Sequence, residues 1–224
     1  MEYKTVVISL GGSIVVPDEI DTAFLGKFKK LILDLKDTNF VIICGGGKVC
    51  RRYQDAARRV GEISDRDLDW IGIGATRLNA EVVRAIFGNE AYERIIHDPD
   101  ENIESDKRII VGAGFRPGSS TDLRAVQLAN RLGAGRVINM SNIDYVYSAD
   151  PKKDPSAEKV TDISWARFRK LVGNEWDPGL NMPFDPIASR EAERSRLKVI
   201  IIGNDMDNLE KLLRGEKFEG TTIS

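Results

Sequence analysis

The sequence predicts an α/β protein with a central, mainly parallel sheet, and three observations carry that prediction. Short apolar, β-branched runs recur at 5–10, 40–44, 108–111, 136–140 and 198–203, the pattern of strands buried on both faces. The first two runs lead into the glycine turns Gly11-Gly12-Ser13 and Gly45-Gly46-Gly47-Lys48, and amphipathic helical spacing follows each. The stretch 108–151 reads as strand, glycine-rich turn, helix, strand and polar loop, one βαβ unit whose two loops leave the carboxyl edge of a parallel sheet. Ligands of open α/β sheets bind at that edge.

Composition narrows the function class. A chain of 224 residues with 42% hydrophobic content can bury a sizeable core, as one large domain or as two small lobes sharing a sheet. The 33 basic and 35 acidic residues are interspersed and give a net charge of −2, so no basic field recruits nucleic acid. No apolar run approaches the roughly 20 residues of a membrane helix, and residues 1–10 read as a charged lead into a strand, so a cytoplasmic protein is expected. Cys44 and Cys50 are too few for a disulfide framework and lack metal-ligand company. With His97 the only histidine, a His-based triad or a His-rich metal site is disfavoured, and no protein-held metal is predicted.

Taken in order, residues 5–10 form a buried strand ending in Gly11-Gly12-Ser13. Backbone N–H groups there can approach an anion closely, although a plain tight turn explains the same residues. A helix over about 21–36 carries Phe24, Phe28, Leu31, Ile32 and Leu35 on one stripe. Strand 40–44 meets three consecutive glycines and a helix with Val49, Tyr53, Ala56 and Val60 inward. Because three glycines are a costly connector, that turn with Lys48 and Arg51 reads as an anion site. It lacks the Walker A spacing.

Residues 64–87 give an amphipathic helix stopped at Gly88, with Ile71, Leu78, Val82, Val83 and Ile86 apolar. Asp69 in its first turns is either a helix-dipole acid or a carboxylate for a ribose diol. Residues 92–97 read as a short strand, and 98–100 as a turn. In the central unit Ser120 or Thr121 caps a helix bearing Leu123, Val126, Ala129 and Leu132, which ends at Gly133. Beyond strand 136–140 come the polar loop from Ser141 to Asp150, a proline-rich turn and a short helix around Trp165. Segment 174–184 has no period and reads as a mobile loop. Asp185-Pro186 starts a helix to about residue 196, strand 198–203 and a short helix follow, and 220–224 close the chain as a tail.

The motifs LGGS at 10–13, CGGGK at 44–48, DWIG at 69–72, PGSSTD at 117–122, SNIDYVYSADPKKDP at 141–155, FDPIA at 184–188 and GTTI at 220–223 together resemble the amino acid kinase superfamily. Within it they are most similar to the archaeal-type UMP kinase branch. The resemblance implies a three-layer αβα sandwich over 1–224, with an acceptor lobe to about 135 and an ATP lobe beyond. It also implies a homohexamer and transfer of the γ-phosphoryl of MgATP to UMP. Position by position, Ser9, Gly11, Gly12, Ser13, Gly47, Arg51, Ser141, Tyr147 and Asp150 fall on the ATP side. Gly46, Asp69 and the loop Phe115, Arg116, Pro117, Gly118, Ser119, Ser120, Thr121 match the UMP side, and Asp185 matches the acid that organises catalysis. The family lysine position holds Ser9, which makes Lys48 and Arg116 the candidate catalytic cations. Another small-molecule kinase of the superfamily, or a catalytically weak nucleotide-binding oligomer, stays open on this count.

Overall fold

The computed structural model describes residues 4–151, 153–173 and 182–224. In chain order the elements are β1 (Lys4–Leu10), α1 (Gly12–Val15), α2 (Thr22–Asp34), β2 (Thr38–Cys44), α3 (Gly47–Val60), α4 (Asp65–Phe87), β3 (Ile109–Gly112), α5 (Thr121–Arg131) and β4 (Arg136–Met140). There follow β5 (Val146–Tyr147), β6 (Lys159–Val160), β7 (Asp162–Ile163), α6 (Trp165–Val172), α7 (Pro186–Arg194), β8 (Lys198–Ile202), α8 (Met206–Arg214) and β9 (Thr221–Ile223).

One seven-stranded sheet runs β3-β2-β1-β4-β8-β9-β7, and its first five strands are parallel. β9 is antiparallel to β8, and β7 pairs with it in parallel. The strand order reverses at β1, which has β2 on one side and β4 on the other. The crevice at such a reversal is where an open sheet takes its ligand.

Strand alternation builds a core on each face, which makes three layers. Val6, Ile8 and Leu10 of β1 pack with Phe24, Phe28 and Ile32 of α2, Val83 and Phe87 of α4, and Leu209 and Leu212 of α8. Val7 points the other way, with Val126 and Ala129 of α5, Phe168 of α6 and Ala188 and Ala192 of α7. Fully burying a side chain such as Phe28 stabilises the fold by about 2–3 kcal/mol. The same alternation sends Ser9 to the face where α5 lies.

Caps fix the helix starts that matter for the site. Ser120 accepts the N–H of Leu123 at 3.1 Å, and Asp185 accepts that of Ala188 ahead of Pro186. Of the two residues read as possible caps of α5, Ser120 is the one used.

Three local readings are corrected. Tyr53 and Val60 are 67% and 90% exposed rather than inward, and Ala56 is exposed too, because α3 rests on α4 outside the sheet and buries none of its residues. Leu78 of α4 is likewise exposed. Residues 92–97 form no strand: bridges Ala91↔Ile109 and Ile96↔Gly112 span five residues on one side and three on the other, so a regular ladder cannot form. The C-terminal tail is instead strand β9, inserted between β8 and β7. Of the segment read as a mobile loop, residues 174–181 lie outside those described.

Candidate active site

Two glycine turns meet backbone to backbone at the carboxyl ends of β1 and β2. A Cβ on Gly12 would lie 2.2 Å from the Gly47 nitrogen, and one on Gly47 would lie 2.2 Å from the Gly12 oxygen. Gly45 donates its N–H to Leu10 at 2.9 Å, and Gly11 donates to Met140 at 2.8 Å, so both turns are sewn to the sheet edge. Asn79, buried on α4, donates its amide to the carbonyls of Gly45 and Gly46 at 2.8 and 3.2 Å. Close approach thus explains why glycine occupies these places. It also leaves the N-terminus of α3 without a side-chain cap, with N–H groups free to meet an anion.

Buried polar groups gather beside these turns. Ser9 donates its hydroxyl to Asp122 Oδ1 at 2.7 Å, Asn139 of β4 donates to the same oxygen at 3.3 Å, and the Asp185 N–H reaches Asp122 Oδ2 at 3.3 Å. Burial pushes the Asp122 carboxyl up to about 6; the Ser9 bond opposes this, and the Asp185 charge adds to it. Asp185 is also raised by burial, which the hydrogen bond from the Ala188 N–H opposes. Its Oδ2 is buried without a partner among the described residues. Asp185 is buried and Asp122 half-buried, and among the described residues neither carboxylate makes an ion pair, an arrangement suited to gripping a cationic or metal-bearing ligand.

On the other side of the glycine turns, Asp69 Oδ2 accepts the Gly118 N–H at 2.7 Å, joining α4 to the loop 115–121. The Arg77 guanidinium reaches the Phe115 carbonyl at 3.4 Å, and Gly114 N–H donates to Thr76 Oγ1 at 2.9 Å. Arg116 is exposed, its Cζ 5.7 Å from the centre of the Phe115 ring. Pro117, Ser119, Ser120 and Thr121 are half-buried along the same loop.

The remaining sequence-predicted residues spread outwards. Ser141 lies against Gly11, its Cα 3.4 Å from where a Gly11 Cβ would be. Ser13 is half-buried in α1, and Arg51 is exposed on α3 beside Gly46 and Gly47. Lys48 is exposed and pairs with Asp18 at 3.0 Å, a carboxylate shared with Arg52. Tyr147 sits on β5 and Asp150 in the turn after it, farther along the loop from Ser141; no hydrogen bond among the described residues links Tyr147 to either glycine turn. Sequence reasoning missed Asp122, Asn139 and Asn79. A polar residue inside the apolar run RVINM was the available signal for Asn139.

The sequence profile described as the amino acid kinase family matches residues 4–203. The chain belongs to the amino acid kinase family. Among its relatives, uridylate kinase of Thermoplasma volcanium is 34% identical over 224 residues, covering 98% of this chain and 97% of that one. Uridylate kinase of Archaeoglobus fulgidus is 36% identical over 223 residues, covering 98% and 99%. The crystal structure of the Archaeoglobus fulgidus uridylate kinase superposes with TM-score 0.84 at 35% identity, over 99% of this chain and 100% of that one. UMP kinase from Bacillus anthracis, 19% identical with TM-score 0.77 over 100% and 97% of the two chains, shares the fold. Membership in the family and the three-layer αβα architecture agree with the sequence-based expectation.

Proposed function

We propose that this amino acid kinase transfers the γ-phosphoryl of ATP to UMP, giving UDP and ADP. The observation that carries the reading is the joining of Asp69 to Gly118, which closes a carboxylate suited to a ribose diol onto the loop 115–121 beside the paired glycine turns. The full-length relatedness to archaeal uridylate kinases supports the acceptor. In the reaction an oxygen of the UMP phosphate attacks the γ-phosphorus, the bond to the β–γ bridging oxygen breaks, and ADP leaves. Such a transfer asks for positioning and charge stabilisation more than for covalent chemistry.

Gly11, Gly12, Ser13, Gly47, Arg51, Ser141, Tyr147 and Asp150 hold ATP in this reading; Gly46, Asp69 and 115–121 hold UMP; Asp185, Lys48 and Arg116 serve the transfer. Asp122 joins Asp185. The buried, unpartnered Asp185 Oδ2 and the neighbouring Asp122 are hard oxygen donors that fit Mg²⁺. Among the described residues no group of three or more ligating side chains could hold a metal by itself, which suits an ion that arrives on the nucleotide. When bound, Mg²⁺ neutralises charge on the phosphates.

The enzyme acts in the cytoplasm as a homohexamer in this reading; exposed Tyr53 and Val60 on α3 suit burial against a second copy. A coupled assay of ADP release across UMP, CMP, dUMP and acetylglutamate tests the proposal, which predicts UMP as the preferred acceptor. A second reading, a nucleotide binder with little turnover, is favoured by one observation: the Ser9 hydroxyl gives Asp122 a neutral hydrogen bond where a cation would neutralise it. Stabilisation by UMP and ATP in thermal shift without ADP production would select it.

A further inference from the structure

Arg124 on α5 is only 3% exposed and makes no ion pair among the described residues. An arginine is almost never fully buried without an anionic partner. Its Nη2 donates to Ser119 Oγ at 2.7 Å, its Nη1 donates to Gln127 Oε1 at 2.6 Å, and its Cζ lies 4.9 Å from the centre of the Phe115 ring. The Nε is buried without an acceptor. Arg116, near the same ring, adds to the imbalance, and the charges of Asp98 and Asp100 offset it only in part. Burial and the Arg116 charge push Arg124 down to about 10, so it remains protonated at neutral pH.

Ser119 is where this charge meets the loop 115–121. Its oxygen accepts from Arg124, and its hydroxyl hydrogen has no acceptor among the described residues. It stands between Gly118, bonded to Asp69, and Ser120, the cap of α5. A hydroxyl whose lone pair is taken by a guanidinium is held as a donor and polarised by the positive charge behind it.

We propose that Arg124 is a positioning residue for acceptor recognition, fixing Ser119 as a hydrogen-bond donor to an acceptor oxygen, either of its phosphate or of a base carbonyl. The inference rests on the phosphotransfer reading above and adds to it a residue that acts through another.

Steady-state kinetics of the full chain test it with Arg124→Met, Arg124→Lys, Ser119→Ala and the Arg124→Met/Ser119→Ala double variant, on UMP and CMP. Arg124→Met and Ser119→Ala should each raise the acceptor KM by about tenfold, the scale of one hydrogen bond to a charged or polarised group. The ATP KM should stay put, the double variant should be no worse than either single one, and Arg124→Lys should recover part of the loss. Equal losses for UMP and CMP assign the oxygen to the phosphate; lost discrimination between them assigns it to the base. Acceptor KM within about twofold of wild type, strictly additive losses, or an equal rise in the ATP KM would overturn the proposal. Should Arg124→Met fail to fold, Ser119→Ala decides alone, and an unchanged acceptor KM refutes. If wild type uses an acceptor other than UMP, the function proposed above fails, while the same variants measured on that acceptor still decide the role of Arg124.

Discussion

Replacing Asp122 by asparagine should stabilise the unliganded protein at alkaline pH while abolishing most turnover. The Asp122 carboxyl is raised from 3.8 to about 6 by burial and the nearby Asp185. A group whose folded value is raised favours the folded state below its unfolded value, and loses that contribution as pH climbs through the folded value. Asp122 therefore contributes fully below about 3.8 and nothing above about 6. The difference of roughly two units corresponds to about 3 kcal/mol across that window. Asparagine removes the titration but keeps an oxygen for Ser9 and Asn139. Its amide would then face the Asp185 N–H, now 3.3 Å from Oδ2, at a pH-independent cost of about 1 kcal/mol. The net expectation is a variant more stable than wild type by about 2 kcal/mol near pH 8, the advantage shrinking to nearly nothing by about pH 4.5. Urea denaturation of both proteins across that range measures the difference, because titrating groups other than the coupled Asp122 and Asp185 cancel. A difference that does not change with pH would refute the reasoning, since the tilt comes from Asp122 and its coupling to Asp185.

Three further outcomes are expected. Asp69→Asn should weaken UMP by about tenfold to a hundredfold and ATP little, as measured by titration calorimetry, because a carboxylate hydrogen bond contributes roughly 1.5–3 kcal/mol; unchanged UMP affinity removes Asp69 from the site. Asp185→Asn should keep an oxygen for the Ala188 N–H, change stability by no more than about 1 kcal/mol, and lose most of kcat; near-normal turnover returns Asp185 to a helix cap. Lys48→Ala or Arg116→Ala should lower kcat by about tenfold to a hundredfold, whereas Ser9→Lys, placed against Asp122, should change it modestly; normal alanine variants beside a greatly accelerated Ser9→Lys would show that the native chain lacks its catalytic cation.

The sheet and its edge were legible because the buried strands are continuous apolar runs and both glycine turns follow them directly. The glycines were read as openings for an anion; the structure shows that Gly12 and Gly47 are first of all places where two backbones touch, which a single sequence cannot reveal because the contact links positions 35 residues apart. Tyr53 and Val60 were misplaced for a related reason. Periodicity reports which residues share a helix face, not whether the chain supplies anything to cover it, and α3 has only α4 and the short α1 beside it among the described elements. Asp122 was hidden inside a motif whose neighbouring residues drew the attention. A first-turn acid on a helix is ordinary until the register of β1 puts Ser9 against it.

That register also gives the neutral residue at position 9 a physical meaning. Strand alternation directs its side chain to the α5 face, where it meets Asp122 and nothing else that the structure shows it bonding. A hydroxyl satisfies one carboxylate oxygen without neutralising the charge, so Asp122 and Asp185 are left as two acids whose charged forms burial disfavours, with the Asp185 charge adding to the shift of Asp122. The unliganded protein carries that desolvation, with a smaller share of repulsion, as a cost. A cation delivered with a nucleotide would remove it, so the energy held in the carboxylate pair becomes differential affinity for the loaded state over the empty one. A lysine at position 9 would relieve the same repulsion beforehand and leave less of it for the ligand to relieve. In the phosphotransfer reading proposed above, the serine would shift charge neutralisation from a resident side chain to the incoming substrate, and the chain would keep its two acids poised for that arrival.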